Sequence, residues 1–208
     1  MEDAAIRGGF VTALREHREG FGLDVSDQQV SRVADYYDLV RVHNPILHLV
    51  GPATPEVFAI RHVLESLTLL EFLPVDARFA DVGTGAGLPS VPCLIVRPDL
   101  KGFLIESKAK KVSFLREVAE KCELAERVTL IDRQFAETPR PVVGFVTCRA
   151  LDRFAQNLPR LVKWSGDATL LFFGGPSLRD QLSDLGVKFI ERLMPMSEQR
   201  YLFISTKK

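Results

Sequence analysis

The sequence predicts an α/β protein in which a parallel sheet is covered by helices, ends in an antiparallel hairpin and follows a helical extension. From residue 77 onward, short β-branched or aromatic runs alternate with helical patterns. A glycine-rich turn follows the first of these runs. The first 75 residues instead have apolar positions at intervals of three and four, with helix start signals. We expect one domain over residues 1–208, with residues 1–75 as its helical extension.

Three helices are predicted in the extension. The first is an amphipathic stretch from Phe10 to Phe21, and the second begins after Ser26. A loop from Asn44 to Pro52 leads to the third, which Thr54 caps and Pro55 opens.

The sheet follows the extension. The predicted strands are Arg78 to Val82, Gly102 to Glu106, Val128 to Ile131, Val142 to Cys148 and Thr169 to Phe173. The predicted helices between and after them are Leu88 to Arg97, Lys108 to Cys122, Asp152 to Trp164 and Ser177 to Leu185. The predicted hairpin consists of Val187 to Met194 and Arg200 to Thr206.

Composition narrows the class of protein. Lys plus Arg and Asp plus Glu number 27 each, so a nucleic-acid contact would need a local basic patch. The three cysteines lack C-x-x-C spacing, which indicates a reducing compartment and neither a disulfide framework nor a cysteine-rich zinc site. The chain has no apolar run of 18 residues and no signal-peptide pattern at its start, so we expect a cytoplasmic protein.

A glycine loop is the most informative feature of the chain. It runs from Asp81 through Gly83, Gly85 and Gly87 to Leu88, between a predicted strand and a predicted helix. Glycines allow positive φ and close approach of a ligand to the backbone. A dinucleotide fingerprint would need glycine at position 88, and a P-loop would need Gly-Lys-Ser/Thr. The remaining pattern, D-x-G-x-G-x-G, resembles the first motif of class I S-adenosylmethionine-dependent methyltransferases; the alternative is a turn with only a structural role.

Glu106 supplies a second half of a nucleoside site. It ends the next predicted strand, some twenty residues after the loop. A carboxylate there can accept hydrogen bonds from both ribose hydroxyls. A glutamate taken alone at a strand end is more often a solvated charge, but the glycine loop before Glu106 favours the ribose role.

Several stretches narrow the resemblance to one family. The chain resembles the bacterial small-subunit ribosomal RNA methyltransferase G family, also called glucose-inhibited division protein B. The matching stretches are Arg61-His62-Val63-Leu64-Glu65-Ser66, 81–89, 95–99, 106–115 and Cys148-Arg149-Ala150. The resemblance implies methyl transfer from S-adenosylmethionine to N7 of a guanine in 16S rRNA of the small ribosomal subunit.

The resemblance also implies roles for individual residues. Glu106 stands at the ribose-binding acid, Gln134 and Phe135 at the adenine-side loop, and Arg149 beside the cofactor at the substrate entrance. Phe135 could stack on the adenine. The expected cofactor-binding residues are Gly83, Gly85, Gly87, Leu88, Glu106, Gln134, Phe135 and Arg149.

A basic cluster is the candidate RNA contact. It consists of Lys101, Lys108, Lys110, Lys111 and Arg116, on the second strand and the following helix, and we expect it near the cofactor end of the sheet. We expect Lys108, Lys110 and Lys111, together with Arg149, to contact the substrate RNA through salt-sensitive interactions. A solvated helix face is the alternative for the lysines, and an ion pair capping the strand end is the alternative for Arg149.

Histidines do not indicate a metal site. His43, His48 and His62 have no carboxylate or cysteine at ligand spacing, so we interpret all three as structural and expect no metal.

The chain departs from the family pattern at several positions. His48 and Val50 replace the usual Asn and Thr, Ala53 replaces an Arg, and Gln134-Phe135 replaces an Ala/Val-Glu pair. Gly174 stands where the family has Lys. These departures lie on the side where RNA is expected to approach, and they leave two alternatives for the function open. One is a methyltransferase with another RNA or a small-molecule acceptor, and the other is an inactive, cofactor-binding, ribosome-associated protein.

Overall fold

The computed structural model describes residues 2–149 and 154–206. The extension comprises α1 (Glu2–His17), a 3-10 turn (Arg18–Phe21), α2 (Asp27–Leu47), α3 (Pro55–Val57), a π-helical segment (Phe58–Leu64), α4 (Glu65–Leu67) and a second 3-10 turn (Thr68–Glu71).

The predicted start of the second helix is confirmed. Ser26 forms a capping box, in which its hydroxyl accepts a bond from the Gln29 amide and the Gln29 side chain accepts one from the Ser26 amide. Two unpaired amides at the start of α2 are thereby satisfied.

Two predicted boundaries in the extension are wrong. Helix α1 begins at Glu2 rather than Phe10, because Arg7 in its polar first half pairs with Asp35 and Asp38 of α2. The predicted loop from Asn44 is helical as far as Leu47, and Pro45 lies inside the helix. Proline removes one amide from the helical ladder and disfavours continuation of the helix, and α2 ends two residues later, at Leu47.

The third helix has a local irregularity that its sequence did not predict. Thr54 caps it and Pro55 opens it, as expected. Phe58–Leu64 then adopts π-helical geometry before the chain returns to α-helix. Single π-helical turns are rare and occur frequently at functional sites.

The sheet contains seven strands in the order β3-β2-β1-β4-β5-β7-β6. Its strands are β1 (Arg78–Val82), β2 (Lys101–Ile105), β3 (Val128–Ile131), β4 (Phe145–Cys148), β5 (Thr169–Gly174), β6 (Phe189–Leu193) and β7 (Tyr201–Ser205). The first five run parallel, while β7 pairs antiparallel with both β5 and β6. The predicted α/β sheet with a terminal antiparallel hairpin is therefore confirmed.

Helices follow the strands as α5 (Ser90–Val96), α6 (Ala109–Lys121), α7 (Phe154–Ser165) and α8 (Pro176–Asp184), with a 3-10 turn at Phe135–Glu137. The start predicted for the helix at Asp152 lies outside the described residues. Strand β4 begins at Phe145 rather than Val142, which is 82% exposed and lies outside the ladder.

Strand order fixes where a ligand can bind. From β1 the chain moves to β2 and β3 on one side, and then returns to place β4 on the other side. Open α/β sheets bind ligands outside the carboxyl ends of the strands at such a switch point.

The extension and the sheet share one hydrophobic cluster. It includes Phe10 and Tyr36 from the extension, Phe79 from β1 and Ile204 from β7. The Tyr36 hydroxyl donates to the carbonyl of Ala86 in the glycine loop at 3.0 Å. The extension therefore supports the edge of the sheet at which the loop lies. Within residues 2–149 and 154–206, no helix combines the length and apolarity that a membrane crossing needs.

Candidate active site

A cavity of about 750 Å³ opens at the carboxyl ends of β1, β2 and β4. Val82, Ile105 and Arg149, at or just after these strand ends, contribute to its wall, as do Leu49, Val50 and Gly51 of the extension. Its volume lies within the range of small-molecule and cofactor sites.

The glycine loop forms the floor of the cavity. Gly83 and Gly85 both have positive φ, at 70° and 56°, and both line the cavity together with Leu88. A Cβ atom at Gly85 would have no neighbour closer than 3.8 Å. The loop thus presents bare backbone to the cavity, as the motif predicted.

Gly87 has a different role from the other two glycines. It is absent from the cavity wall, and a Cβ there would lie 2.5 Å from Cγ2 of Val91 in α5. Gly87 therefore permits close packing of α5 against the loop, and its predicted contact with the cofactor has no support in the described residues.

Asp81 stabilises the glycine loop through hydrogen bonds to two hydroxyl groups. Its buried Oδ2 accepts hydrogen bonds from the hydroxyls of Thr84 at 2.7 Å and Ser90 at 2.6 Å, while Oδ1 has no partner among the described residues. Burial raises the pKa of Asp81 to about 7, although the two hydroxyl bonds act in the opposite direction.

Glu106 lies beside the loop at the end of β2. Its Oε2 accepts the Gly85 amide at 3.1 Å and its Oε1 accepts the Lys108 amide at 2.8 Å. These two bonds fix the orientation of the carboxylate, which is 7% exposed and lines the cavity. A carboxylate offers about four acceptor positions, so each oxygen keeps capacity for a ligand hydroxyl.

Arg149 extends from the end of β4 toward the extension. It donates to Glu65 Oε2 at 3.0 Å, to Ser66 Oγ at 3.3 Å and to the Arg61 carbonyl. Its guanidinium also lies over the ring of Phe173. Burial lowers the pKa of Arg149, while the adjacent carboxylate of Glu65 raises it.

Glu65 is shared by two arginines. It is 1% exposed, and its second oxygen accepts from Arg200 Nε at 2.6 Å. The ion pair considered as the alternative for Arg149 is therefore present. Arg149 nevertheless lines the cavity, so the two predicted stretches 61–66 and 148–149 meet at one wall of it.

His62 lies on the same wall and was interpreted as structural from sequence. It lines the cavity, and the centroid of its ring lies 5.0 Å from that of the Phe58 ring. Nδ1 is enclosed and has no hydrogen-bond partner among the described residues. Burial, followed by the charges of Arg149, Arg61 and Arg200, lowers the pKa of His62 to about 4. The imidazole is therefore neutral at pH 7.

The turn after β3 carries the two residues predicted for the adenine side. Gln134 and Phe135 both line the cavity. The Phe135 ring is 6% exposed and meets Trp164 edge-on at 5.8 Å between centroids. Phe135 is thus held in place by packing.

Several polar residues of the cavity wall were not predicted from the sequence. Arg133 precedes Gln134, and Gln156, Asn157 and Arg160 lie on α7. The spacing of four between Gln156 and Arg160 places them on one face of a helix, which is the signal that the sequence offered.

The basic cluster is only partly at the cavity. Lys108 and Lys111 line it, whereas Lys110 is exposed on α6 and absent from the lining. Lys101 was expected near the cofactor end, which is wrong, because it begins β2 and so lies at the amino edge of the sheet.

The departures from the family pattern have distinct surroundings. Val50 lines the cavity, whereas His48 and Ala53 are exposed. At Gly174 a Cβ would lie 2.5 Å from Cδ2 of Leu178, so α8 packs where a longer side chain would begin. Within the described ranges, no three histidine, cysteine or acidic side chains form a group that could hold a metal ion.

Comparison with known proteins decides the family. The family described as GidB, rRNA small subunit methyltransferase G, matches residues 29–188. The chain belongs to this family. It is therefore an S-adenosylmethionine-dependent methyltransferase of small-subunit ribosomal RNA, as the predicted motifs implied.

Individual relatives agree with this assignment. Ribosomal RNA small subunit methyltransferase G of Shewanella piezotolerans is 29% identical over 200 residues, which cover 91% of this chain and 94% of that protein. The protein of the same name from Photorhabdus laumondii is 35% identical over 143 residues, covering 69% of this chain and 67% of the relative.

Solved structures agree on the fold. A SAM-dependent methyltransferase from Aquifex aeolicus superposes with a TM-score of 0.55 at 16% identity, over 82% of this chain and 97% of the other. TYW2 of P. horikoshii, solved with MeSAdo, gives a TM-score of 0.55 at 15% identity, over 69% and 62% of the two chains. This methyltransferase therefore has the class I architecture.

Proposed function

We propose that the cavity binds S-adenosylmethionine with its ribose on Glu106, its adenine beside Gln134 and Phe135, and its methionine end over Gly83 and Gly85. The observation that carries this assignment is the orientation of Glu106. Two backbone amides hold its carboxylate at the switch point of the sheet, and each oxygen retains an acceptor position on the cavity side.

The surrounding residues fit such a ligand. The bare backbone of the glycine loop admits a ligand at close range. Arg149 places a guanidinium on the cavity wall near the end of β4, where a cofactor carboxylate or an RNA phosphate could meet it. S-adenosylmethionine, when bound, supplies an electrophilic methyl group that leaves sulfur for a nucleophile.

We propose N7 of a guanine in 16S rRNA as that nucleophile. Guanine N7 carries a lone pair and no proton, so the reaction requires no general base. The task of the protein is then to hold the base in line with the methyl group, and positioning alone can supply much of the rate.

The rim of the cavity supports an RNA acceptor. Among the described residues, the lining contains one acidic side chain, that of Glu106, and five cationic ones, from Lys108, Lys111, Arg133, Arg149 and Arg160. The whole chain has no net formal charge, so the positive potential is concentrated where RNA phosphates would approach. We place the protein in the cytoplasm with its ribosomal substrate.

Calorimetric titration of S-adenosylmethionine into Glu106→Ala tests the cofactor assignment. We expect affinity to fall at least about tenfold, which corresponds to about 1.4 kcal/mol, because the ribose hydroxyls lose their acceptor. Glu120→Ala is the matched control, since Glu120 is an exposed glutamate on the neighbouring α6. Equal affinity in both variants would show that the ribose does not lie on Glu106.

A further inference from the structure

Resting on the proposed function, we propose that His62 contacts the acceptor guanine, with the Nε2 edge of its imidazole hydrogen-bonded to the base while N7 stays open to the methyl group.

His62 and the proposed cofactor contacts come from different parts of the fold. Glu106, Gln134 and Phe135 line the cavity from the end of β2 and the loop after β3. His62 lines it from the helical extension, beside Arg149, which donates to the Arg61 carbonyl and to Ser66. A ligand that reaches His62 therefore meets the part of the wall that the extension contributes.

Local geometry fixes the ring. His62 lies within the π-helical segment, and Phe58 packs against its imidazole. The carbonyl of His62 accepts the Ser66 hydroxyl, which itself accepts a bond from Arg149. The network that orients Arg149 thus also anchors the backbone of His62.

One ring nitrogen remains for a ligand. Nδ1 is enclosed without a partner, so Nε2 is the nitrogen that can meet a molecule in the cavity. A polar side chain placed on a cavity wall without a protein partner gains a hydrogen bond when the cavity is filled. A base edge, with its N–H groups and carbonyl oxygen, offers suitable partners for it.

Neutrality suits the reaction. Attack by N7 leaves positive charge on the guanine, and a cation hydrogen-bonded to the base would oppose that charge. The arginines at positions 61, 149 and 200 face His62 and favour its neutral form, whereas Glu65 is already engaged by two of them. His62 can therefore hold the base without adding a positive charge.

The test compares methyl transfer to 30S subunits with cofactor binding in His62→Phe and His62→Gln. Phe retains the packing on Phe58 and loses the hydrogen bond, whereas Gln keeps a neutral hydrogen-bonding group. We expect His62→Phe to lower kcat/KM for 30S subunits at least about tenfold, with the S-adenosylmethionine Kd within about twofold of wild type. We expect His62→Gln to recover part of the loss.

His43→Phe is the matched control, because His43 pairs with Glu117 and is absent from the cavity lining. Wild-type activity on 30S subunits reports on the proposed function separately. With active wild type, unchanged kcat/KM in His62→Phe overturns the proposal, and so does an equal loss of cofactor affinity, which would place His62 on the cofactor. If His62→Phe does not fold, His62→Ala decides, since it also removes the hydrogen-bonding group. A folded His62→Ala with the wild-type kcat/KM for 30S subunits overturns the proposal.

Discussion

At the scale of single residues, the buried carboxylate of Glu65 organises the cavity wall that contains Arg149. It pairs with Arg149 after β4 and with Arg200 before β7. Separate stretches of the sequence therefore meet at one side chain. The resemblance identified both 61–66 and 148–150 as characteristic, yet the reason for their coupling is visible only in the fold.

Glu65→Gln should destabilise the protein strongly. Breaking a buried ion pair leaves charge without compensation, which typically costs about 3–5 kcal/mol. Here Arg149, with 15% of its side chain exposed, would lose its carboxylate. Urea unfolding measures the change in the free energy of unfolding.

Glu191→Gln provides the comparison for that variant. It breaks the more exposed pair with Arg179, and surface pairs are worth about 0–1 kcal/mol. An equal loss in the free energy of unfolding in both variants would show that the ion pairs of Glu65 contribute no more to stability than an exposed pair does.

At the scale of elements, the glycine loop combines two functions that its spacing does not distinguish. Gly85 borders open cavity space, whereas Gly87 lies against Val91 of α5. The sequence predicted glycine at both positions for ligand approach. It could not predict the packing role of Gly87, because that role depends on how closely α5 approaches the loop.

Gly87→Ala and Gly85→Ala form a pair that separates these functions. Both positions have positive φ, so both variants carry backbone strain. Gly87→Ala adds a steric clash with Val91, and we expect it to lower the Tm by several degrees more than Gly85→Ala. Differential scanning calorimetry measures this difference, and a lower Tm for Gly85→Ala would contradict the packing role.

The sequence predicted element types better than element ends. Strands β1 and β3 have the predicted bounds, because apolar runs between turn residues determine them. Helix α1 extends beyond its predicted start because Arg7 finds partners on α2. The π-helical segment has no periodic signal distinct from that of an α-helix, so it could not be predicted.

At the scale of the whole molecule, the extension completes one side of the cavity. It contributes Leu49, Val50, Gly51 and His62 to the lining. Its relation to the sheet follows from tertiary contacts such as that between Tyr36 and the carbonyl of Ala86, which pattern alone does not reveal.

Some residues of the candidate site could be predicted from the sequence, and others could not. The motif predicted Gly83 and Glu106, which the structure brings to the cavity, because a strand followed by a glycine turn fixes their place in the sheet. Arg133 and Arg160 were missed, since isolated arginines on a loop and a helix resemble ordinary surface charge. Only the fold places them at one opening.

Methylation of 30S subunits by the purified protein tests the central claim most directly. The subunits, from a strain that lacks this modification, are incubated with methyl-labelled S-adenosylmethionine, and the 16S rRNA is digested to nucleosides for mass spectrometry. We predict label in 7-methylguanosine, with loss of most of it in Glu106→Ala at limiting cofactor. Absence of label in 16S rRNA, or label in a different nucleoside, would contradict the assignment.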